Sequence, residues 1–323
     1  MRNLQDSFGR TFKTLRVSLI NTCNLACTYC VDPSKTTKTA NLLDKIPSQK
    51  GLSNDEYITI INRLNNILNF ETVRLTGGEP TLYKQLTPLI KGISEIGIPY
   101  IKMTSNGVLL ENKAVELKQA GLTSINISLD AVNEETSYKI SQRHSIKKIL
   151  RGIDKSIEAG IGIKVNCVVM KGFNDEHIVE LFEYCKTRNI TIRFLELMQM
   201  GHLYNNFQQH FFSEKEIVDK IALHYNVTPL LREDAATAKY WLTEDGYKFG
   251  IVSNVSSPFC NDCNRLRLDN YGNIYGCLSD NTPINILECM DSEVELRERI
   301  YEALMQKKTK FSGSKLSMLH IGG

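Results

Sequence analysis

Segments typical of β-strands alternate six times with segments typical of α-helices between Leu15 and Leu197. The strand segments are short and rich in β-branched residues, whereas the helical segments carry apolar residues three and four positions apart. This alternation predicts a parallel α/β sheet with helices outside it, because parallel neighbours are joined by crossover helices. The sheet is either open or curved into a partial barrel, and in both cases active residues are expected at the carboxyl ends of the strands.

Polar and glycine-rich groups follow the predicted strands at those ends. They are the first three cysteines, Gly77–Pro80, Thr104–Asn106, Ser128–Asp130 and Glu196–Met198. After about Met200 the pattern changes to one helix and several shorter strands. The sequence therefore predicts two domains, which comprise residues 1–205 and residues 206–323.

The charge and hydropathy of the chain limit its partners. The 39 Lys and Arg residues against 36 Asp and Glu give a net charge of +3, which is too small to indicate bulk nucleic-acid binding but leaves room for a local basic pocket. No apolar run approaches the roughly 20 residues that span a bilayer, and Met1–Arg10 lacks the apolar segment of a secretory signal. We therefore expect a cytoplasmic protein with neither a membrane nor a nucleic acid as its partner.

Nine cysteines in a chain without a visible secretory signal indicate metal or redox chemistry rather than disulfides. Six of them form two groups of three, with the spacings C-x3-C-x2-C and C-x2-C-x13-C: Cys23, Cys27 and Cys30, then Cys260, Cys263 and Cys277. One group lies near each end of the chain.

Each group supplies three thiolates, one fewer than a closed tetrahedral zinc site needs. Three thiolates suit a [4Fe-4S] cluster in which one iron stays free to bind another molecule. The alternative for the first group is a structural zinc site with a distant fourth ligand. For the second group it is a zinc ribbon completed by Cys289 or a histidine.

Two arginines, Arg265 and Arg267, come almost directly after Cys263 of the second group. In a strand they point to the same face, where two guanidinium groups beside a cluster form a ready anion site. The alternative is a solvated pair of surface arginines.

The first cysteine group follows a strand, and Gly77-Gly78-Glu79-Pro80 follows the next strand. This arrangement resembles the radical S-adenosylmethionine (SAM) superfamily. Further segments narrow the resemblance to the GTP 3′,8-cyclase (MoaA) family of molybdenum cofactor biosynthesis. They extend over nearly the whole chain and are Leu75–Pro80, Thr104–Gly107, Asn126–Asp130, Lys164–Asn166, Arg193–Met198, Asn264–Leu268 and Gly322–Gly323.

The resemblance implies a partial (βα)6 barrel similar to a TIM barrel, with a C-terminal α+β extension that carries a second iron–sulfur cluster. The implied cofactors are two [4Fe-4S] clusters, with the six grouped cysteines as their metal ligands, and SAM. In this family the N-terminal cluster cleaves SAM reductively, the resulting radical abstracts hydrogen from ribose C3′ of GTP, and C3′ then attacks C8 of guanine. The implied SAM contacts are Tyr29, Gly78, Ser128 and Met198. Cys167 and Cys185 match no ligand position and are expected in the core.

The resemblance also implies which residues bind GTP. These are Arg16, Arg74, Thr104, Lys164, Arg193, Arg265, Leu266 and Arg267, and the implied catalytic residues are Arg16, Arg265 and Arg267. A triphosphate carries about four negative charges and cannot enter a low-dielectric barrel without cations. A cation on a parallel strand is costly unless it lines a cavity, although each of these can instead face a strand end or water. The terminal Gly322–Gly323 is implied to reach the active site.

The implied enzyme is a lyase that converts GTP to 3′,8-cyclo-7,8-dihydro-GTP, the first step of molybdenum cofactor biosynthesis. Its implied partners are GTP, an external electron donor and the cyclic pyranopterin monophosphate synthase that takes the product. The sequence leaves a homodimer open. Two other functions also stay open: a radical SAM enzyme that modifies a peptide, and a non-enzymatic zinc protein that binds nucleic acid. The near-neutral charge and the six strand–helix units argue against the zinc protein.

Overall fold

The structure is a computed structural model that describes residues 4–32 and 51–321. The stretch Ser34–Lys50, for which the sequence predicts a loop, and the Gly322–Gly323 terminus lie outside the described residues. The β-strands of the described residues are β1 Thr14–Ser18, β2 Thr72–Thr76, β3 Tyr100–Ser105, β4 Ser124–Ser128, β5 Gly162–Val169, β6 Thr191–Glu196, β7 Val227–Pro229, β8 Lys239–Thr243, β9 Lys248–Val252, β10 Arg265–Leu268, β11 Asn273–Tyr275 and β12 Ile284–Asn285. The α-helices are α1 Asn54–Leu68, α2 Leu86–Glu95, α3 Ala114–Gln119, α4 Glu134–Ser141, α5 Ile146–Glu158, α6 Ile178–Thr187, α7 Glu214–Ala222, α8 Glu293–Met305 and α9 Met318–Ile321.

Local sequence signals determine where α1 begins and which face it buries. Ser53 precedes the helix and accepts from the backbone of Glu56, whose carboxylate accepts in return from the backbone of Ser53. This capping box satisfies backbone donors that a helix start leaves unpaired, and such a cap contributes about 1 kcal/mol. Apolar residues at helical spacing, among them Tyr57 and Leu64, are fully buried on one face. The helix predicted over 53–69 is therefore confirmed to within one residue at each end.

All the strands belong to one sheet, in the order β12-β11-β10-β1-β2-β3-β4-β5-β6-β9-β8-β7. Strands β1 to β6 lie side by side in chain order and pair in parallel. This confirms the predicted run of six strand–helix units. The C-terminal region adds strands to both edges, because β10 pairs in parallel with β1 and β9 pairs in parallel with β6. The division at residues 205 and 206 stays a prediction.

The sheet is curved. Strands β2 and β6 are four positions apart, a distance of about 19 Å in a flat sheet. One cavity is nevertheless lined by Thr76 of β2 and Leu195 of β6, together with residues of β3, β4 and β5. A cavity shared by all five strands requires the sheet to curve. The parallel strands thus form an open partial barrel, as predicted, and in the described part of the chain the end strands β7 and β12 do not pair with each other.

Residues alternate between the two faces of the parallel strands. One face packs apolar side chains beneath the helices, and in β1 these are the fully buried Leu15 and Val17. The other face carries polar and charged residues that are half-buried, such as Arg16. Cys167 and Cys185 lie in the main core with at most 1% of their surface exposed, which confirms their predicted place. No helix of the described residues is long and apolar enough to cross a membrane.

Candidate active site

The first cysteine group lies on the loop that follows β1. The backbone N–H groups of Cys30 and Val31 both donate to the carbonyl of Cys27, at 2.8 and 3.0 Å, and so close a turn. The backbone N–H groups of Ala26 and Thr28 donate to the last carbonyls of α4, each at 3.0 Å. These bonds hold the cysteine loop against the barrel.

Gly77 and Gly78 pack directly against this loop. The N–H of Gly78 donates to the carbonyl of Ile20 at 2.6 Å, and the N–H of Glu79 donates to that of Thr22 at 2.8 Å. Gly77 has a φ of +146°, which side chains rarely adopt, and a Cβ on Gly78 would lie 2.1 Å from the Thr22 carbonyl oxygen. The glycine pair is therefore needed for backbone packing as well as for the predicted approach of SAM.

Glu79 joins the ends of β2 and β3 below this loop. Its buried carboxylate accepts from the backbone and hydroxyl of Thr81, from the hydroxyl of Ser105 at 2.9 Å and from the backbone of Asn106 at 2.7 Å. Burial raises the pKa of Glu79, although these donors act in the opposite direction. Asn106 in turn donates to Asn24 at 2.7 Å and to the sulfur of Cys23 at 3.7 Å. Glu79 thus positions a donor beside the first cysteine.

Asp130 holds Tyr29, the aromatic residue between Cys27 and Cys30. The hydroxyl of Tyr29 donates to one Asp130 oxygen at 2.8 Å, and the backbone N–H of Val168 donates to the other at 2.8 Å. Burial raises the pKa of Asp130 to about 6, although both donors favour its charged form. The orientation of the Tyr29 ring is therefore set by a carboxylate on the end of β4.

One open cavity joins these groups, with about 1180 Å³ of space that includes its opening to solvent. Its lining includes the first three cysteines, all four residues predicted to contact SAM, and one residue predicted to contact GTP: Cys23, Cys27, Cys30, Tyr29, Gly78, Ser128, Met198 and Thr104. Met318 and Leu319 of α9 also line it. The structure thus brings the predicted SAM contacts into one space beside the first cysteine group.

A row of cations crosses the inner face of the barrel. The strand registers place Arg16 beside Arg267 of β10 and beside Arg74 of β2, and Arg74 beside Lys102 of β3. Burial lowers the pKa of Arg16 well below its usual range, and the charges of Arg267 and Arg74 lower it further. The Arg16 Nε and the Thr104 hydroxyl are buried and have no hydrogen-bond partner among the described residues. Unpaired buried donors beside crowded cations are the chemistry that an anionic ligand would satisfy.

The other residues predicted to bind GTP have differing surroundings, and their side chains contact other groups of the protein. Arg193 donates twice to the side-chain oxygen of Asn166, at 3.0 and 2.7 Å, and the Lys164 ammonium lies 3.4 Å from the Tyr240 hydroxyl. Leu266 is fully buried, so only its backbone can meet a substrate. The Arg265 guanidinium donates to the carbonyl of Ala235 at 3.2 Å.

Two cysteines of the second group, Cys260 and Cys263, precede strand β10, and the third, Cys277, follows strand β11. The N–H of Cys263 donates to the carbonyl of Cys260 at 3.2 Å, which forms a turn like that of the first group. Burial opposes ionisation of Cys263, but the charges of Arg265 and Lys307 outweigh it and lower the pKa of this thiol to about 7. Cys289, the alternative fourth ligand, is a core residue whose thiol donates to the Ile286 carbonyl at 3.2 Å.

The donor sets fit iron–sulfur clusters. All nine cysteines are free thiols. No group of three His, Cys, Asp or Glu side chains in residues 4–32 and 51–321 is close enough to hold a single metal ion. A cubane places its thiolates at separate corners and does not need them to converge on one point. Burial and the charges of Cys23 and Asp130 raise the pKa of Cys30 to about 12, and a cationic centre bound there would favour its thiolate.

A curved parallel sheet with a three-cysteine loop after its first strand is the architecture of a radical SAM protein. The family model of the radical SAM superfamily matches residues 17–185, and that of Molybdenum Cofactor Synthesis C matches residues 190–313. Among solved structures, Streptococcus suis SuiB bound to S-adenosylmethionine has a TM-score of 0.64 at 14% identity, over 92% of this chain and 67% of that one. Native anSMEcpe with bound AdoMet has a TM-score of 0.61 at 16% identity, over 91% of this chain and 83% of that one. These structures share the fold.

Curated relatives narrow the class to one family. The GTP 3′,8-cyclase of Synechocystis sp. is 35% identical over 100% of this chain and 95% of that protein. The GTP 3′,8-cyclase of Aquifex aeolicus is 34% identical over 99% of this chain and 100% of that protein. The chain belongs to the GTP 3′,8-cyclase family, as its motifs indicated.

Sequence reasoning missed several residues of this site. Lys102 lies two positions before Thr104 on the same strand, so the alternation of faces would have found it. Asp130 and Glu196 belong to segments that the sequence places at strand ends, but the sequence does not indicate which groups donate hydrogen bonds to their carboxylates. Lys307 lies in no motif, and only the structure brings it to Cys263.

Glu196, at the end of β6, fastens the loop that leads to the second cysteine group. Its buried carboxylate accepts from the backbone of Val255 at 2.9 Å, from the backbone and hydroxyl of Ser256, and from the first N–H of α7 at 2.9 Å. Cys260 follows four residues after Ser256. Glu196 and its neighbours in the chain, Leu197 and Met198, also line the cavity beside the first cysteine group. One carboxylate thus links the two halves of the site.

Glu196→Ala is expected to destabilise the protein by about 3 kcal/mol, because buried backbone donors lose a charged acceptor. Iron retention at the second cysteine group should fall as well, since the loop before Cys260 is released. Urea unfolding and iron analysis measure the two effects. Glu233→Ala removes an exposed carboxylate and serves as the control. Equal stability of the two variants would show that Glu196 does not fasten the loop.

Proposed function

We infer that the chain is an enzyme, a radical SAM GTP 3′,8-cyclase that converts GTP to 3′,8-cyclo-7,8-dihydro-GTP in the first step of molybdenum cofactor biosynthesis. The observation that carries this inference is the row of inward-facing cations between the two cysteine groups. It offers an anionic substrate a place within reach of both. Full-length similarity to GTP 3′,8-cyclases supports the same function.

Cys23, Cys27 and Cys30 would hold one [4Fe-4S] cluster, and Cys260, Cys263 and Cys277 would hold the other. When bound, the first would supply the electron for reductive cleavage of SAM, and the second would offer an iron site to the guanine end of GTP. The residues of this chain orient SAM: Asp130 fixes the ring of Tyr29, and Gly78 lines the cavity beside the methionine end. Ser128 and Met198 contact SAM from the ends of β4 and β6.

The cations of the inner face bind the triphosphate. Arg16 is central in this role, since it lies between Arg74 and Arg267 in the register. Arg265 and Arg267 connect the second cluster with this row, and with Arg16 they are the proposed catalytic residues. Lys164, Arg193 and Thr104 complete the substrate contacts, and we add Lys102 because its charge acts on the same group of cations. Leu266 contributes its backbone.

We assign the reaction to the lyases and place the enzyme in the cytoplasm, where free thiols persist. An external donor supplies the electrons, and the product passes to cyclic pyranopterin monophosphate synthase. The sequence leaves a homodimer open, and size-exclusion chromatography with light scattering distinguishes the mass of one chain from that of two.

The proposed activity is tested by anaerobic reconstitution with iron and sulfide, followed by assay with SAM, dithionite and GTP. We expect about eight irons per chain, as two cubanes require, and loss of GTP that depends on SAM. Cys260→Ala should retain about four irons and should not turn over GTP. SAM cleavage without loss of GTP would favour the peptide-modifying alternative. About two zinc ions and no iron would reject both radical SAM functions.

A further inference from the structure

The segment that follows α8 brings a lysine to the second cysteine group. The Lys307 ammonium donates to the Cys263 carbonyl at 2.6 Å and contacts the Cys263 sulfur at 3.5 Å and the Arg265 carbonyl at 3.5 Å. It also lies 4.8 Å from the centre of the Phe12 ring. The ammonium is thus fixed by several contacts on one side of a single thiol.

Arg10 secures the backbone around this lysine. Its guanidinium donates to the carbonyls of Cys260 and Lys308, each at 2.9 Å, and to that of Lys307 at 3.3 Å. Arg10 is only 6% exposed, and Asp6 balances its charge at 2.5 Å. The N-terminal segment, the second cysteine group and the chain after α8 therefore meet at one point, which limits how far Lys307 can move from Cys263.

The first cysteine group has a different electrostatic environment. Cys23 receives a hydrogen bond from Asn106, which is neutral. Within residues 4–32 and 51–321, the charged side chains that act on thiols of the first group are the carboxylates Asp130 and Glu79. A cation that donates to a cluster thiolate stabilises the more negative, reduced cluster, whereas carboxylates do the opposite. The described residues therefore place a positive charge beside the second cysteine group and negative charges beside the first.

We propose that Lys307 is a positioning residue for the C-terminal cluster: its ammonium donates to the Cys263 thiolate, keeps that thiolate on the cluster and raises the reduction potential of the cluster. This inference rests on the proposed assignment of Cys260, Cys263 and Cys277 as cluster ligands. It goes beyond that assignment because Lys307 belongs to no cysteine or arginine motif.

The test compares Lys307→Met, Lys307→Arg and Lys308→Met in a full-length chain in which the first three cysteines are replaced by alanine, so that a single cluster remains. Lys308 is the matched control, because it is the next residue and is exposed, and its ammonium contacts the carbonyl of Ser279 and the hydroxyl of Ser312. A redox titration followed by electron paramagnetic resonance gives the midpoint potential. The loss of absorbance in air gives the lifetime of the cluster.

Lys307→Met is expected to lower the midpoint potential and to shorten the lifetime of the cluster in air several-fold. Lys307→Arg, which keeps the charge, should lie nearer the parent, and Lys308→Met should match the parent. A loaded Lys307→Met with unchanged potential and lifetime overturns the proposal. So does a failure of Lys307→Arg to load iron while Lys308→Met loads it. If the parent itself takes up no [4Fe-4S] cluster, it is the cofactor assignment that fails.

Discussion

Replacing Arg16 with methionine is expected to lower GTP turnover strongly and at the same time to make the substrate-free protein more stable. The two effects have one cause. Arg16 lies on the inner face between Arg74 and Arg267, with a buried Nε that has no partner among the described residues. The positive charges of Arg16, Arg74 and Arg267 repel one another when no substrate is bound. A bound triphosphate compensates these charges and so relieves the repulsion.

The size of both effects follows from this electrostatic cost. Removing one cation that neutralises substrate charge lowers turnover by a factor on the order of 10²–10³. Removing a poorly compensated buried charge while keeping an apolar side chain of similar length stabilises the empty protein by roughly 1–2 kcal/mol. Urea unfolding without GTP and anaerobic turnover with GTP measure the two quantities.

Arg63 provides the matched control. It lies on the outer helix α1, and its guanidinium is 3.8 Å from a fully exposed Asp291. Arg63→Met should change stability by less than about 0.5 kcal/mol and leave turnover intact. A destabilised Arg16→Met, or one that turns over GTP normally, would contradict the assignment of Arg16 to the substrate site.

Much of the barrel is predictable because each strand and helix carries its own signal. Strand β2 was predicted with the bounds that the structure has, and α1 begins at the capping box that Ser53 and Glu56 indicate. Helix α4 was not predicted, since it is short and its cap, Asn133, follows the strand almost at once. Strands β7 and β12 have three and two residues, too few for a periodic pattern.

The residues of the candidate site also fall into two classes, those that the sequence predicts and those that only the structure reveals. Residues in motifs, such as Tyr29 and Gly78, are found from sequence because their spacing along the chain is fixed by one loop. Residues that act through partners distant in sequence are not, because the fold alone creates the contact. Glu196 reaches Ser256 across 60 positions, and Lys307 reaches Cys263 across 44. The row that includes Lys102 depends on the register between strands, which no single segment determines.

The two buried carboxylates Glu79 and Glu196 have a common role in this arrangement. Each lies at the carboxyl end of an inner strand and accepts from backbone N–H groups of a segment that approaches one cysteine group. Buried hydrogen-bond networks in which every polar group has a partner make the loops that they join more rigid. The barrel thus helps to hold both cysteine loops in place.

Gly78→Ala is expected to prevent assembly of the first cluster and to cost about 3 kcal/mol or more of stability. The added Cβ would lie 2.1 Å from the Thr22 carbonyl oxygen and 2.5 Å from its carbon, and a backbone, unlike a flexible side chain, moves only at a high cost. The loop before Cys23 must therefore shift. Iron should fall from about eight to about four atoms per chain. Gly162→Ala, whose Cβ has ordinary contacts of 3.4 Å or more, is the control; if both variants keep full iron and equal stability, the glycine pair does not set the position of the cysteine loop.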